Sequence, residues 1–241
     1  HDTLHKLAVL ISLAYGGRVD PKKIYTEGIS KITPLDIEFT RELGYRIKLL
    51  AVCRDGQDGV DARVHPTLIP EGHLLSQVNE SFNAIFMQSE DLGPTMYYGR
   101  GAGMMPTGSA VVADILSLAR NIVKGVSNRV PNITGEGSRG RLIKIKPVKE
   151  ICTRYYLRFS AVDTPGVLSK ISGILGRNDI SIYSVVQRGR RVRGGAVPIF
   201  MLTHEAREAN LQKALRQIDR LNLLRQKTLL IRIEDSRLQA Q

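Results

Sequence analysis

The chain contains no tryptophan and two cysteines, Cys53 and Cys152, and only 5% of it is aromatic. Two cysteines so far apart fit no metal-ligand or redox spacing, so reduced thiols of a cytosolic protein are expected. Long apolar runs are also missing. None approaches the roughly eighteen residues of a membrane span, and no membrane partner is expected. His5, His65, His73 and His204 are unclustered, so ordinary polar roles and no metal are expected. The sequence has no starting methionine: helix-like residues begin at once with Asp2, Thr3, Leu4 and His5, which reads as a truncated start.

What is present is ordinary for a soluble globular chain: 241 residues, 42% hydrophobic and 24% charged, enough for one or two domains. The net charge of +12 is unevenly placed. Residues 1–119 hold 11 Lys/Arg against 14 Asp/Glu, whereas residues 120–241 hold 24 against 9. Such asymmetry can signal a nucleic-acid face. Here, however, the basic residues are interspersed with acids and apolar positions. The one dense group, Arg188, Arg190, Arg191 and Arg193, reads as a solvated strand connection, so no nucleic-acid partner is expected.

Composition shifts over residues 125–150, where Gly125, Pro131, Gly135, Gly137, Gly140 and Pro147 interrupt any periodic pattern. This predicts a linker between a domain at 1–124 and another at 151–235, with a tail at 236–241. In the first domain the spacing predicts helices over 2–15, 34–43 and 106–124. It also predicts a hairpin around Asp55–Gly59 and two further strands at 82–89 and 94–99, an α+β layer with a mostly antiparallel sheet. In the second, strands at 155–162, 180–187, 197–203 and 227–234 alternate with helices at 165–177 and 205–221. That β-α-β-β-α-β order is the ferredoxin-like unit.

Two places in the first domain could carry chemistry. Asp2 and Lys6 lie four residues apart on one helix face. They form either a plain ion pair or, with Lys6 embedded in an apolar helix as a buried ammonium, a proton donor and the acid that orients it. The run Tyr98-Gly99-Arg100-Gly101-Ala102-Gly103 leaves a strand and leads into a helix near Pro106. Backbone there can approach a ligand, and the helix start offers free amides. Its glycine spacing is not the dinucleotide fingerprint, and no second strand with a ribose-binding acid follows it.

Asp2-x-x-x-Lys6-Leu-Ala, Glu27-Gly28-Ile29, Ile32-Thr33-x-x-Asp36-Ile37, Leu43-Gly44-Tyr45-x-Ile47-Lys48-Leu49-Leu50 and Tyr98-Gly99-Arg100-Gly101-Ala102-Gly103-x-x-Pro106-Thr107 follow one another as in homoserine dehydrogenases. The resemblance covers residues 2–124. It implies reduction of aspartate 4-semialdehyde to homoserine with NADP or NAD, on the route to threonine, methionine and isoleucine. Lys6 matches the family's proton-donating lysine and Asp2 its substrate-binding acid. Gly103, with Gly101 and Ala102, matches the turn that touches the cofactor where helix 106–124 returns to the nucleotide domain. Lys48 resembles a family position and reads as structural. The family's Rossmann domain lies upstream of Asp2 in that comparison, so most cofactor contacts fall outside this chain and the fragment alone is expected to be inactive.

In the second domain Asp163-Thr164-Pro165-Gly166-Val167-Leu168 joins the first strand to its helix, with Asp163 placed to cap and Pro165 in the first turn. D-x-P-G-V-L in such a unit resembles ACT domains, which bind amino acids at this loop. The resemblance implies effector contacts from Asp163, Thr164, Pro165, Gly166 and Val167, with Asn178 at the start of the second strand. Joined to a homoserine dehydrogenase, the implied effector is threonine, the implied state a homodimer or tetramer, and the location the cytoplasm. The alternative is an amino-acid-sensing protein without dehydrogenase activity.

Overall fold

The computed structural model describes residues 1–56, 58–126, 141–187 and 196–234. Helix α1 (Asp2–Tyr15) buries Leu4, Leu7, Ala8 and Ile11, one stripe at helical spacing, and stops at Gly16 in the left-handed conformation with φ 61°. Strand β1 (Tyr25–Thr26) follows, then helix α2 (Pro34–Glu42). Thr33 and Asp36 start α2 with a reciprocal capping box, and Pro34 sits in its first turn. Strands β2 (Tyr45–Arg54) and β3 (Asp61–Pro70) pair antiparallel along their whole length, from Tyr45↔Pro70 to Arg54↔Asp61. Strands β4 (Phe82–Ser89) and β5 (Gly93–Arg100) form a separate two-stranded hairpin, and helix α3 (Met104–Val123) leaves it.

The second half runs β6 (Cys152–Val162), α4 (Val167–Arg177), β7 (Ile182–Gln187), β8 (Ala196–Thr203), β9 (Ala206–Arg207), α5 (Glu208–Ile218) and β10 (Leu229–Ile233). Its main strands lie in the order β10-β6-β8-β7, each antiparallel to its neighbour. The expected α+β architecture with a ferredoxin-like unit is therefore present. Two helices are shorter than the sequence pattern predicts. Helix α4 starts at Val167 because Gly166 turns left-handed (φ 86°). Helix α5 starts at Glu208 because Ala206 and Arg207 pair with β6 instead.

The sheet does not end where the ferredoxin-like unit ends. The outer edge of β10 pairs in parallel with β3, at Arg232↔Thr67 and Ile233↔Leu68. On the same edge of β3, Arg63 and Val64 pair with β1. One sheet thus runs through both halves of the molecule, and three apolar clusters follow from it. The stripe of α1 packs with Ile24, Val60, Ala62 and Val64. Inside the second half, Tyr155, Leu157 and Phe159 of β6 face Ile171, Leu175, Leu211 and Ile218 of the two helices. Between the halves, Phe39 of α2 and Leu68 of β3 join Tyr156, Phe200, Leu202, Leu229, Ile231 and Ile233. Residues on β6 alternate, as a strand buried on both faces must.

The stretch 125–150 divides. Residues 127–140 lie outside the described residues, as do the arginine loop at 188–195 and the segment 235–241. Residues 141–146 are bound to the first half: Leu142 bridges Arg18 and Ile145 bridges Val60. Ile143 and Ile145 are buried in the α1 cluster. Gly59 (φ 131°) permits this approach, since a Cβ there would lie 2.6 Å from the carbonyl oxygen of Lys144.

Candidate functional site

Helix α1 has two apolar faces. The first, just described, fixes it against β2 and β3. The second carries Asp2, Lys6, Val9, Leu10 and Leu13, related by steps of three and four, and all of these are exposed. Lys6 Nζ lies 2.8 Å from Asp2 Oδ2, with the two side chains 64% and 79% exposed. That hydrogen bond from Lys6 holds the Asp2 carboxyl below its ordinary range. The expected pairing is present, but the expected burial of the ammonium is not. Its apolar neighbours Val9, Leu10 and Leu13 face outward with it, so in this chain water reaches them all.

The glycine turn comes from the β4–β5 hairpin. Phe82 pairs with Arg100, and the Gly101 amide donates to the Ser81 carbonyl at 3.3 Å. A Cβ on Gly101 would lie 2.0 Å from the Asn83 amide nitrogen, so the turn closes against that side chain. Gly103 (φ 126°) is the N-cap of α3, and only glycine adopts that conformation readily. The first-turn amides of α3 lack intrahelical acceptors, and Gly101, Ala102 and Gly103 are all exposed beside them. Helix α3 has no buried residue: Met104, Val111, Val112, Ile115, Leu118 and Ile122 all stand in the open. The hairpin root is held by Lys48, whose ammonium donates to the Val78 carbonyl (2.5 Å) and to Asn79 Oδ1 (3.0 Å). Partial burial, then Arg46, moves the Lys48 pKa down.

The loop 163–167 lies at the end of β6. Thr164, Pro165 and Gly166 are exposed and Val167 is buried beneath them. Asp163 does not cap α4: Gly166 is the N-cap, and no side chain bonds the first turn. Asn178 is not part of this loop either. It is buried at the opposite end of α4, where its side-chain amide donates to the Ile174 carbonyl at 2.8 Å. Eleven residues of helix separate the two, about 16 Å at 1.5 Å per residue. The backbone makes Asn178 the C-cap of α4, so within one chain it stands apart from residues 163–167.

The sequence reading passed over a group of buried charges where the halves meet. Arg63 of β3 pairs with Asp61 and with Glu234, which also holds Arg54. Arg232 of β10 reaches Glu208 at 2.5 Å and Glu27 at 3.5 Å, and its guanidinium covers the Tyr25 ring at 4.7 Å. Asp36 of α2 is fully buried, accepting from Tyr156 Oη (2.9 Å) and Arg158 Nε (2.6 Å). Among them lies His65, whose Nε2 accepts from Arg63 Nε at 3.0 Å and whose Nδ1 faces the Pro66 carbonyl at 2.9 Å. Burial, then Arg232, pushes the His65 pKa well below the usual imidazole range. Burial works against the charges of Arg63 and Arg232, but Glu234 with Asp61 around the one, and Glu208 with Tyr25 around the other, together outweigh it and raise both. Nothing local announces these partners. Arg63-x-His65-x-Thr67 and Arg232-x-Glu234 alternate with apolar residues, which in a strand reads as a wet face.

Among the described residues no group of three or more His, Cys, Asp and Glu side chains is placed to hold a metal ion. No helix among them is long and apolar enough to cross a membrane.

Comparison with known proteins bears on both halves. Residues 1–116 match the family model described as homoserine dehydrogenase, and residues 155–222 match that of the ACT domain. The homoserine dehydrogenase of Neisseria gonorrhoeae is 39% identical over 234 residues, covering 97% of this chain and 54% of that protein. That of Pseudomonas aeruginosa is 39% identical over 233 residues, with the same shares. The crystal structure of a homoserine dehydrogenase from Thiobacillus denitrificans superimposes with a TM-score of 0.85 at 40% identity, covering 97% of this chain and 53% of that one. The chain spans about half the length of the curated relatives it matches.

Proposed function

Residues 1–116 belong to the homoserine dehydrogenase family and residues 155–222 to the ACT domain family, and from that membership we propose that the chain is the substrate-binding and regulatory part of a cytoplasmic homoserine dehydrogenase. The reaction is reduction of aspartate 4-semialdehyde to homoserine. The observation that carries this reading is the Asp2–Lys6 pair at 2.8 Å, on the outward face of a helix whose inward face is locked into the core.

The exposed turn 101–103, with the free amides of α3 beside it, suits a polar cofactor group. Gly101, Ala102 and Gly103 are assigned to contact NADP or NAD there, and the remaining contacts to the half of the relatives' length that this chain does not span. When bound, the nicotinamide would supply the hydride. Lys6 delivers a proton from Nζ to the aldehyde oxygen, so that no free alkoxide accumulates. Asp2 holds that ammonium in place and offers its second oxygen to the substrate's own ammonium. Val9, Leu10 and Leu13 form the apolar border that a nucleotide-binding domain would cover, drying the surroundings of Lys6 and sharpening its donor role. Residues 163–167 are assigned to bind threonine as a feedback effector, in a homodimer or tetramer. The chain of residues 1–241 alone is expected to give no turnover.

The test uses the full-length enzyme, following NADPH oxidation with aspartate 4-semialdehyde. Replacing Lys6 with Ala is expected to lower kcat by roughly 100-fold or more with the fold intact. Retention of most activity would return the pair to a plain surface ion pair. Absence of turnover in the unmodified enzyme would favour a purely amino-acid-sensing protein.

A further inference from the structure

Two of the segments shared with homoserine dehydrogenases, Glu27-Gly28-Ile29 and Ile32-Thr33-x-x-Asp36, play no part in the chemistry just described. Both are held by side chains of the ACT domain. Asp36 accepts four hydrogen bonds with no exposure to water. Its Oδ2 receives the Thr33 amide (2.9 Å) and hydroxyl (2.5 Å), and its Oδ1 receives Tyr156 Oη and Arg158 Nε of β6. Glu27 accepts from the Tyr25 hydroxyl at 2.8 Å and lies 3.5 Å from the Arg232 guanidinium of β10. Immediately before them, Ile24 is buried against Leu4, Leu7, Ala8 and Ile11 of α1. Residues 24–36 therefore touch the helix that carries Lys6 at one end and the ACT sheet at two points beyond it.

Strand β6 supplies the other connection. It carries Tyr156 and Arg158 and runs directly into the loop 163–167. Five residues separate Arg158 from Asp163, about 16 Å of extended chain. Ion pairs with one partner fully buried, such as Arg158–Asp36 and Arg232–Glu27, tend to keep their partners or exchange them rather than stretch. A displacement of β6 by a ligand at its end is therefore passed to Asp36, and one of β10 to Glu27.

We propose that residues 24–36 are the coupling element between the two domains. An amino acid bound at 163–167 changes the setting of α1, and with it Lys6, through Arg158 and Tyr156 on Asp36 and Arg232 on Glu27. This rests on the reading of that loop as the amino-acid site. Asp36 and Tyr156 are positioning residues for regulation and touch no reacting atom.

The experiment compares full-length wild type, Asp36→Asn and Tyr156→Phe. Initial rates of NADPH oxidation are measured with and without saturating L-threonine, threonine binding is measured by calorimetry, and thermal melting checks the fold. Allosteric coupling of this kind commonly amounts to about 5–150-fold. Both variants are expected to keep the uninhibited kcat and KM and still to bind threonine. Their ratio of uninhibited to inhibited rate should fall to about a third of the wild-type value or less. Tyr156→Phe, which removes one hydroxyl, decides the matter should Asp36→Asn fail to fold. If wild type binds threonine and is inhibited, and folded variants are inhibited equally, the coupling role is overturned while the amino-acid site stands. If wild type neither binds nor responds to threonine, the site assignment fails and the coupling fails with it.

Discussion

Phe39 is the apolar side chain that α2 buries in the seam between the two halves. It is almost fully buried, its ring stacks on Phe200 with centroids 3.9 Å apart, and it lies 6.4 Å from the ring of Tyr156. Truncating a buried phenylalanine to alanine costs about 3–5 kcal/mol. Loss of the aromatic pairing adds roughly 0.5–1.5 kcal/mol where the cavity cannot close. The cavity would open onto β8 and β6 on one side and Leu68 of β3 on the other. With one sheet running through both halves, that loss should not stay in the half that contains Phe39. Native-state hydrogen exchange of the Phe39→Ala chain reads this directly. The amides of β10 and β6 should lose as much protection as those of β3, within about 1 kcal/mol. Unchanged protection in β6 and β10 beside a weakened β3 would show two independently folding bodies, and the continuous-sheet reasoning would be wrong.

Two further outcomes follow from the buried charges. Arg63→Met takes the guanidinium away from Asp61 and leaves the buried Glu234 with Arg54 alone. It should destabilise the chain by about 3–5 kcal/mol in urea titrations, with Arg63→Met/Glu234→Gln recovering part of the loss. A negligible single-variant effect would mean that water reaches the site. His65 is held neutral by burial and by Arg232, Arg63 and Arg54, with its folded pKa below its unfolded value. Its contribution is therefore complete above about pH 6.5 and declines as pH falls, by up to about 1.4 kcal/mol per pH unit. Replacing it with glutamine should flatten that slope between pH 6.5 and 5; an unchanged slope would assign the acid lability to other groups.

Much of the fold was legible locally because the signals were local. Thr33-Pro34 announced α2, and the glycines at 16 and 44 marked where helices stop. Alternating and helical patterns after Cys152 gave the ferredoxin-like order. The pairing of β10 with β3 was not legible, since Arg232↔Thr67 joins residues 165 positions apart and nothing nearby specifies it. The same distance hid the buried charges, each of which looks exposed until its partner is known. Lys6 misled in the opposite direction. Its neighbours are apolar, which suggested burial, but helical geometry places Val9, Leu10 and Leu13 outward beside it. Asp2 and Lys6 were found from their spacing together with a family pattern. Asn178 lies where the sequence pattern puts it, between α4 and the next strand, but its role as the C-cap of α4 was not legible.

The parallel splice of β10 onto β3 also bears on how such a protein can be cut. A break at residue 150, natural by sequence, would strip the partner strand from Thr67 and Leu68. It would also uncover Phe39, leave Asp36 without Arg158 and strip Glu234 from Arg63, which would keep only Asp61. The remaining piece would present a raw strand edge beside an apolar patch, the combination that leads to edge-to-edge association and aggregation. The second half is thus masonry for the first, and exchanging single side chains perturbs the molecule less than amputation would.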